Sequence, residues 1–144
     1  MTLYVLHNVF YAGFAFVAGW VADRLPKNFV LAFGYSLAGV MTLAIIVFPA
    51  SLFTMAAVFI IGGVYIAIEE TLEDSMAAEL VDESHHGMAF GVLATVNGVG
   101  DFISSIAVGV LWTAVGTEIA FGYSAVLFFA GAVVVSRVRS TSAQ

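Results

Sequence analysis

The chain has 144 residues, 62% of them hydrophobic and 10% charged, with a formal net charge of −6 and a mean hydropathy of +1.06. Soluble domains carry about a quarter charged residues and need polar surface on most of their helices, so composition excludes that class and leaves the membrane. Four Lys or Arg against ten Asp or Glu exclude a nucleic-acid partner, which needs clustered cations, and the absence of cysteine excludes disulfides and thiolate metal sites.

A membrane-spanning helix needs about 20 mostly apolar residues. The first such segment, 3–22, has no basic n-region and no small-residue cleavage site, so it is expected to be a span rather than a signal peptide. It ends at "AGWVADRLPKNFVL", where a carboxylate, two cations and a proline interrupt the apolar sequence. The second span covers 29–48 and stops at Pro49. The third covers 51–70 and continues without a breaker through "EETLEDSMAAELV" to 81, so one long helix is expected whose last turns leave the bilayer. The fourth covers 88–113 after "DESHHG", and the fifth covers 119–135. Connections are short apart from the acidic one, which predicts a single membrane domain over 1–144.

Arg24 and Lys27 follow span one, and Arg137 and Arg139 follow span five. Odd spans end on the same side, so all four cations fall on one face, cytoplasmic by the positive-inside rule. The C-terminus is then cytoplasmic and the N-terminus external. Small residues recur at four-residue spacing in Ala15 and Gly19, Gly34 and Ala38, and Gly63 and Ala67, a pattern that lets helices approach closely in lipid. "AFGYS" occurs twice, at Ala32 to Ser36 and Ala120 to Ser124, in spans of opposite direction, as an inverted-topology repeat would produce.

Gly19, Asp23, Arg24 and Lys27 lie in the short loop between two antiparallel spans. This loop resembles the G-x-x-x-D-R-x-G-R-[RK] signature of the major facilitator superfamily of secondary transporters. Gly19, Asp23 and Arg24 match, and Lys27 takes a position usually held by arginine. Pro26 replaces the second glycine and Asn28 the last basic residue, as in the degenerate copy that the family carries after its eighth helix. The acidic-ended helix, the loop and the Gly-rich "HHGMAFGVLATVNGVGDFISS" are similar to the family's tenth helix, tenth loop and eleventh helix; His86 precedes the loop glycine, where many members have arginine.

The resemblance implies an all-α membrane protein whose five transmembrane helices are helices eight to twelve of a twelve-helix transporter, from its C-terminal six-helix bundle. It further implies a fragment whose partner is the missing N-terminal half, moving a small molecule or ion by alternating access as a symporter or antiporter of the plasma (inner) membrane. Gly19, Asp23, Arg24 and Lys27 would form a cytoplasmic gate, with Asp23 meeting a helix end of the other half.

Seven of the ten acids lie between Glu69 and Glu83. Glu69 with Glu73, and Glu70 with Asp74, are spaced i,i+4 and occupy two adjacent helix faces. Glu73 and Asp74 are expected to pair with Arg24 and Lys27 of the neighbouring loop. Glu69 and Glu70, where the apolar run has barely ended, are candidates for an aqueous cavity. Asp101 lies about 20 Å along span four, near the midplane, where a carboxylate is expensive unless it faces water, a partner or a substrate. Asn97 is one turn before it and Ser104 and Ser105 one turn after, a polar stripe on an apolar helix. Asp101 and Asn97 are therefore candidates for substrate binding or proton coupling. His7 and Asn8 join them because the family's eighth helix lines the cavity. His85 and His86 are adjacent in a loop and cannot share a helix face as metal ligands commonly do, so no metal and no cofactor is expected.

Two other classes compete. "EETLED" invites comparison with the Asp-rich Mg²⁺ sites of intramembrane prenyl transferases, but such sites need a second acidic cluster and cations for the diphosphate, so an enzyme is not expected. The remaining alternative is a small oligomeric membrane protein or channel complete at five spans.

Overall fold

Pro26, Pro49 and Gly116 punctuate three of the four connections between helices. In a computed structural model, which describes residues 1–138, five helices follow one another: α1 (Thr2–Ala22), α2 (Lys27–Val47), α3 (Leu52–Glu79), α4 (His86–Val115) and α5 (Thr117–Arg137). All five are long and apolar enough to cross a membrane, and no strand occurs among the described residues. The protein is an all-α membrane protein.

Pro26 takes the N-cap of α2, where its missing N–H costs nothing, so α2 starts at Lys27 directly after it. After Pro49, Ser51 caps α3, its side chain accepting from the Thr54 N–H at 3.1 Å. A short 3-10 turn at Glu83–His85 leads into α4. Gly116 alone joins α4 to α5, with φ 106° and ψ 168°. That backbone region is essentially restricted to glycine.

Contacts between named residues fix the packing. The start of α2 meets the end of α5, because the buried Asn28 side chain donates from Nδ2 to the carbonyls of Ser136 (3.4 Å) and Val138 (3.1 Å). Deeper in the same antiparallel pair, the Phe129 ring fills the space that a Cβ on Gly39 would need. α1 runs parallel to α3, with His7 beside Gly63 and Gly19 beside Thr71. α2 crosses α3 where Ile68 occupies the place of a Gly34 Cβ. α4 touches α5 through Trp112 and Phe121, whose ring centres are 5.6 Å apart.

These pairings bring Arg24, Lys27 and Arg137 to one end of the bundle, which we call the charged end; Arg139 lies outside the described residues. Just inside that end, Ala18, Ala22, Val30, Leu31, Ile68 and Leu72 form a core where α1, α2 and α3 meet. Ala38, Ala67 and Ala120 are also fully buried, so small residues bring the helices together as expected in lipid. On α1 the contact face extends beyond Ala15 and Gly19, the latter lying against Thr71. Ala18 and Ala22 carry the core, rotated by less than a turn, while Ala15 and Gly19 are half-buried. α4 stands apart: none of its residues is buried within the chain.

The two "AFGYS" segments lie in the packed α2 and α5 pair and share a local bond. Ser36 Oγ donates to the Ala32 carbonyl (2.8 Å) and Ser124 Oγ to the Ala120 carbonyl (3.1 Å). Their tyrosines diverge, Tyr35 turning toward the interior while Tyr123 is 39% exposed.

Candidate functional site

Because α3 stays helical past its apolar run, its carboxylates are carried up one side of the bundle facing α2 and α4. There they border a cavity of about 600 Å³. Glu69, Glu70, Glu73 and Asp74 line it from α3, Tyr35 from α2, and Asn97 and Asp101 from α4. A second cavity of about 350 Å³ adjoins it, sharing Tyr35, Glu69, Gly100 and Asp101 and reaching α5 through Ser124 and Phe128. The two lie side by side among α2, α3, α4 and α5, the smaller being the more apolar through Val108, Leu127 and Phe128.

Tyrosines supply the donors. Tyr65 Oη donates to Glu69 Oε1 at 2.7 Å, one turn away on α3. Tyr35 Oη donates to Glu73 Oε1 at 2.8 Å, and Asn97 Nδ2 to Glu73 Oε2 at 2.7 Å. Tyr11 of α1 donates to Glu70 Oε2. Tyr65 packs edge-on against Phe128, at 5.5 Å between ring centres, which holds its hydroxyl in place. Ser104 borders the smaller cavity and donates to the Asp101 carbonyl at 3.1 Å, while Ser105 lines neither cavity.

Five carboxylates therefore line the larger cavity with no Lys, Arg or His among its lining residues. Such a space has a negative potential that favours protons and positively charged groups, and its tyrosine and asparagine donors can orient a polar solute. Among the described residues no group of three or more His, Asp or Glu is arranged to hold a metal ion.

Asp101, Asn97, Glu69 and Glu70 thus share one cavity, whereas His7 and Asn8 line neither of the two. His7 Nδ1 donates to the Phe59 carbonyl at 3.1 Å in the α1 and α3 contact, and Asn8 bonds the Tyr4 carbonyl one turn back at 2.8 Å. One nitrogen of each is thus used, His7 Nδ1 in helix packing and Asn8 Nδ2 in local backbone bonding.

The loop residues differ from expectation in their partners. Lys27 reaches Ser75 and Glu79, not Glu73 or Asp74, and this is the ion pair found among the described residues. Arg24 folds back on α1, its guanidinium 3.7 Å from the centre of the Trp20 ring and bonded to the Trp20 carbonyl at 2.9 Å. The reason is register. Lys27 is the first residue of α2, so it meets the last turn of α3, while Glu73 and Asp74 lie about 8 Å deeper and turn toward the cavity. Asp23 closes α1, its N–H bonding the Gly19 carbonyl at 3.0 Å, and its side chain is exposed.

Tyr35, Tyr65, Tyr11 and the bridging role of Glu73 were not foreseen from the sequence. Only the i,i+4 spacing of Tyr65 and Glu69 was visible there; the other two tyrosines meet their carboxylates from different helices.

Comparison with known proteins gives the same picture of the chain as a whole. A family model described as Major Facilitator Superfamily matches residues 1–143. The chain is 29% identical over 127 residues to a protein of Methanocaldococcus jannaschii described as an uncharacterized MFS-type transporter. The match covers 88% of this chain and 31% of that protein, so the chain spans about a third of the length of the curated relative. No solved structure matches the chain.

Proposed function

The chain belongs to the Major Facilitator Superfamily, and from that premise we propose that it is the C-terminal part, helices eight to twelve, of a secondary active transporter. The transporter moves a small solute by alternating access and does not transform it chemically. The observation that carries this reading is the carboxylate-lined cavity, which α3 and α4 border together within a chain whose helices otherwise meet through small apolar residues. A group able to exchange protons in such a space can couple solute movement to a proton gradient. Asp101 and Glu69, which border both cavities, are the residues assigned to that exchange, with Asn97 and Glu70 contributing to solute binding.

The charged end is assigned to the cytoplasm of the plasma (inner) membrane, because its cations Arg24, Lys27 and Arg137 lie together there. Asp23 is the residue available to meet a helix end of the N-terminal half, since its side chain is exposed at that end. The N-terminal half supplies the other wall of the cavity, against the faces that α4 leaves uncovered.

Flux measurement tests the reading. The purified 144-residue chain in liposomes should show no solute-dependent uptake above empty vesicles, and joining it to the upstream half should restore uptake. Robust flux from the chain alone would overturn the reading in favour of a small oligomeric carrier or channel complete at five spans.

A further inference from the structure

Glu73 differs from the other acids of the cavity in what it joins. Glu69 accepts from Tyr65 on its own helix, and Glu70 accepts from Tyr11 on α1. Glu73 accepts on both oxygens at once, from Tyr35 of α2 at 2.8 Å and from Asn97 of α4 at 2.7 Å. A carboxylate has lone pairs for two such donors in opposite directions, so one side chain of α3 spans the gap between two other helices.

Within this chain the helix on the far side of that bridge is loosely packed. No residue of α4 is buried, although α4 is the longest helix in the chain at 30 residues. Its ring contact with α5, Trp112 on Phe121, lies about 22 Å along the axis from Asn97, and nearer to Asn97 its Gly100, Asp101, Ser104 and Val108 face α5 across the smaller cavity. At its other end Met88, Ala89 and Val92 border an apolar cleft of about 420 Å³ against Ala77 and Leu80 of α3. Between these two regions, the Asn97–Glu73 bond is the side-chain hydrogen bond that joins α4 to α3 among the described residues.

We propose that Glu73 is a positioning residue that fastens α4 to α2 and α3, and so sets the width of the cavity and the place of Asp101 within it. Glu73 acts through Asn97 and Tyr35 rather than by binding solute. This rests on the transporter reading only for its effect on uptake; the position of α4 is a property of the chain itself.

The chain has no cysteine, so introduced pairs can be labelled cleanly. Nitroxides at Val40→Cys on α2 and Val99→Cys on α4, which are 53% and 54% exposed, report the separation of the two helices by pulsed electron resonance in lipid nanodiscs. The expected result is a single narrow distance in the parent chain and its loss to a longer, broader distribution in Glu73→Ala. Glu73→Gln should restore the narrow distance, because its amide oxygen accepts from Tyr35 and its NH₂ donates to a flipped Asn97 amide. Asp74→Ala, which removes a neighbouring charge, should leave the distance unchanged. If Glu73→Ala fails to fold, Asn97→Leu, which alters an exposed side chain, should show the same loss. An unchanged narrow distance in Glu73→Ala, or in Asn97→Leu where the first does not fold, would overturn the proposal. So would Glu73→Gln behaving as Glu73→Ala does, or Asp74→Ala giving the same loss. None of these readouts requires flux, so failure of the transporter reading would be seen separately.

Discussion

The backbone carbonyl of His7 lies 2.5 Å from where a Cβ on Gly63 would stand, and the Tyr11 amide nitrogen lies 3.1 Å from it. α1 therefore crosses α3 in direct contact with its backbone, and no side chain at position 63 fits without moving a helix. The first prediction follows. Gly63→Ala should destabilise the folded chain by about 1–3 kcal/mol, the usual effect of overpacking a filled contact. Gly13→Ala on the same α1, where nothing lies within 4 Å, should not destabilise the chain, since alanine is the better helix former. Unfolding in mixed micelles with increasing denaturing detergent measures both; equal effects would show that the crossing is not the constraint.

The second prediction concerns the connection between α4 and α5. Gly116 is the residue with positive φ among the described residues, and nothing lies within 4 Å of a Cβ placed there. Any effect of substitution is therefore backbone strain rather than a clash with neighbours. Gly116→Ala should lower stability by about 1–3 kcal/mol, and the same measurement checks it.

The third prediction tests the assignment of Asp101. Asp101→Asn keeps the size of a side chain that borders both cavities but cannot exchange a proton. In the complete transporter this variant should insert normally, retain solute exchange and lose accumulation driven by a pH gradient. Uptake at several external pH values, with and without the gradient, checks this. An unchanged pH profile would leave Asp101 without a coupling role.

The fourth prediction separates the two cations of the loop. The Lys27 side chain is 11% exposed and that of its partner Glu79 is 43% exposed, so the pair is partly screened by solvent. Lys27→Met should cost about 0.2–1 kcal/mol, as half-exposed ion pairs do. Arg24→Lys should remove the stacking on Trp20 without weakening the contact between α2 and α3, since Arg24 bonds within its own helix. Denaturing-detergent titrations of the two variants, with Trp20 fluorescence followed in the second, distinguish the roles.

Hydropathy makes the five helices legible because a helix in lipid must be apolar along its whole length, and that constraint is written residue by residue. Asp101, Asn97, Glu69 and Glu70, which border the larger cavity, stand out for the same reason: each breaks a pattern that lipid imposes. Tyr35 and Tyr11 break no such pattern, since tyrosine is an ordinary residue of membrane interfaces. Their bonds to Glu73 and Glu70 span separations of 38 and 59 residues, which only the helix packing reveals. His7 and Asn8 stand out in the same way but line neither cavity. Both look out of place in an apolar segment, and backbone carbonyls at Phe59 and Tyr4 accept from His7 Nδ1 and Asn8 Nδ2. The partner of Lys27 depended on where α2 starts, which Pro26 decides to within a single residue.

Asn28 stands where the resembled signature has a basic residue, and its amide ties α2 to the Ser136 and Val138 carbonyls of α5. That bond joins neutral groups, whereas the adjacent Lys27 holds α2 to α3 through the opposite charge of Glu79. Mobile ions screen charges over about 8 Å at physiological ionic strength and over shorter distances as salt rises, but they find no net charge on an amide and a carbonyl. Two consecutive residues therefore give the two sides of α2 different responses to electrolyte. Concentrated salt weakens the ion pair to Glu79 and leaves the Asn28 bonds to α5 intact, while the packing of Ile68 against Gly34 keeps α2 on α3.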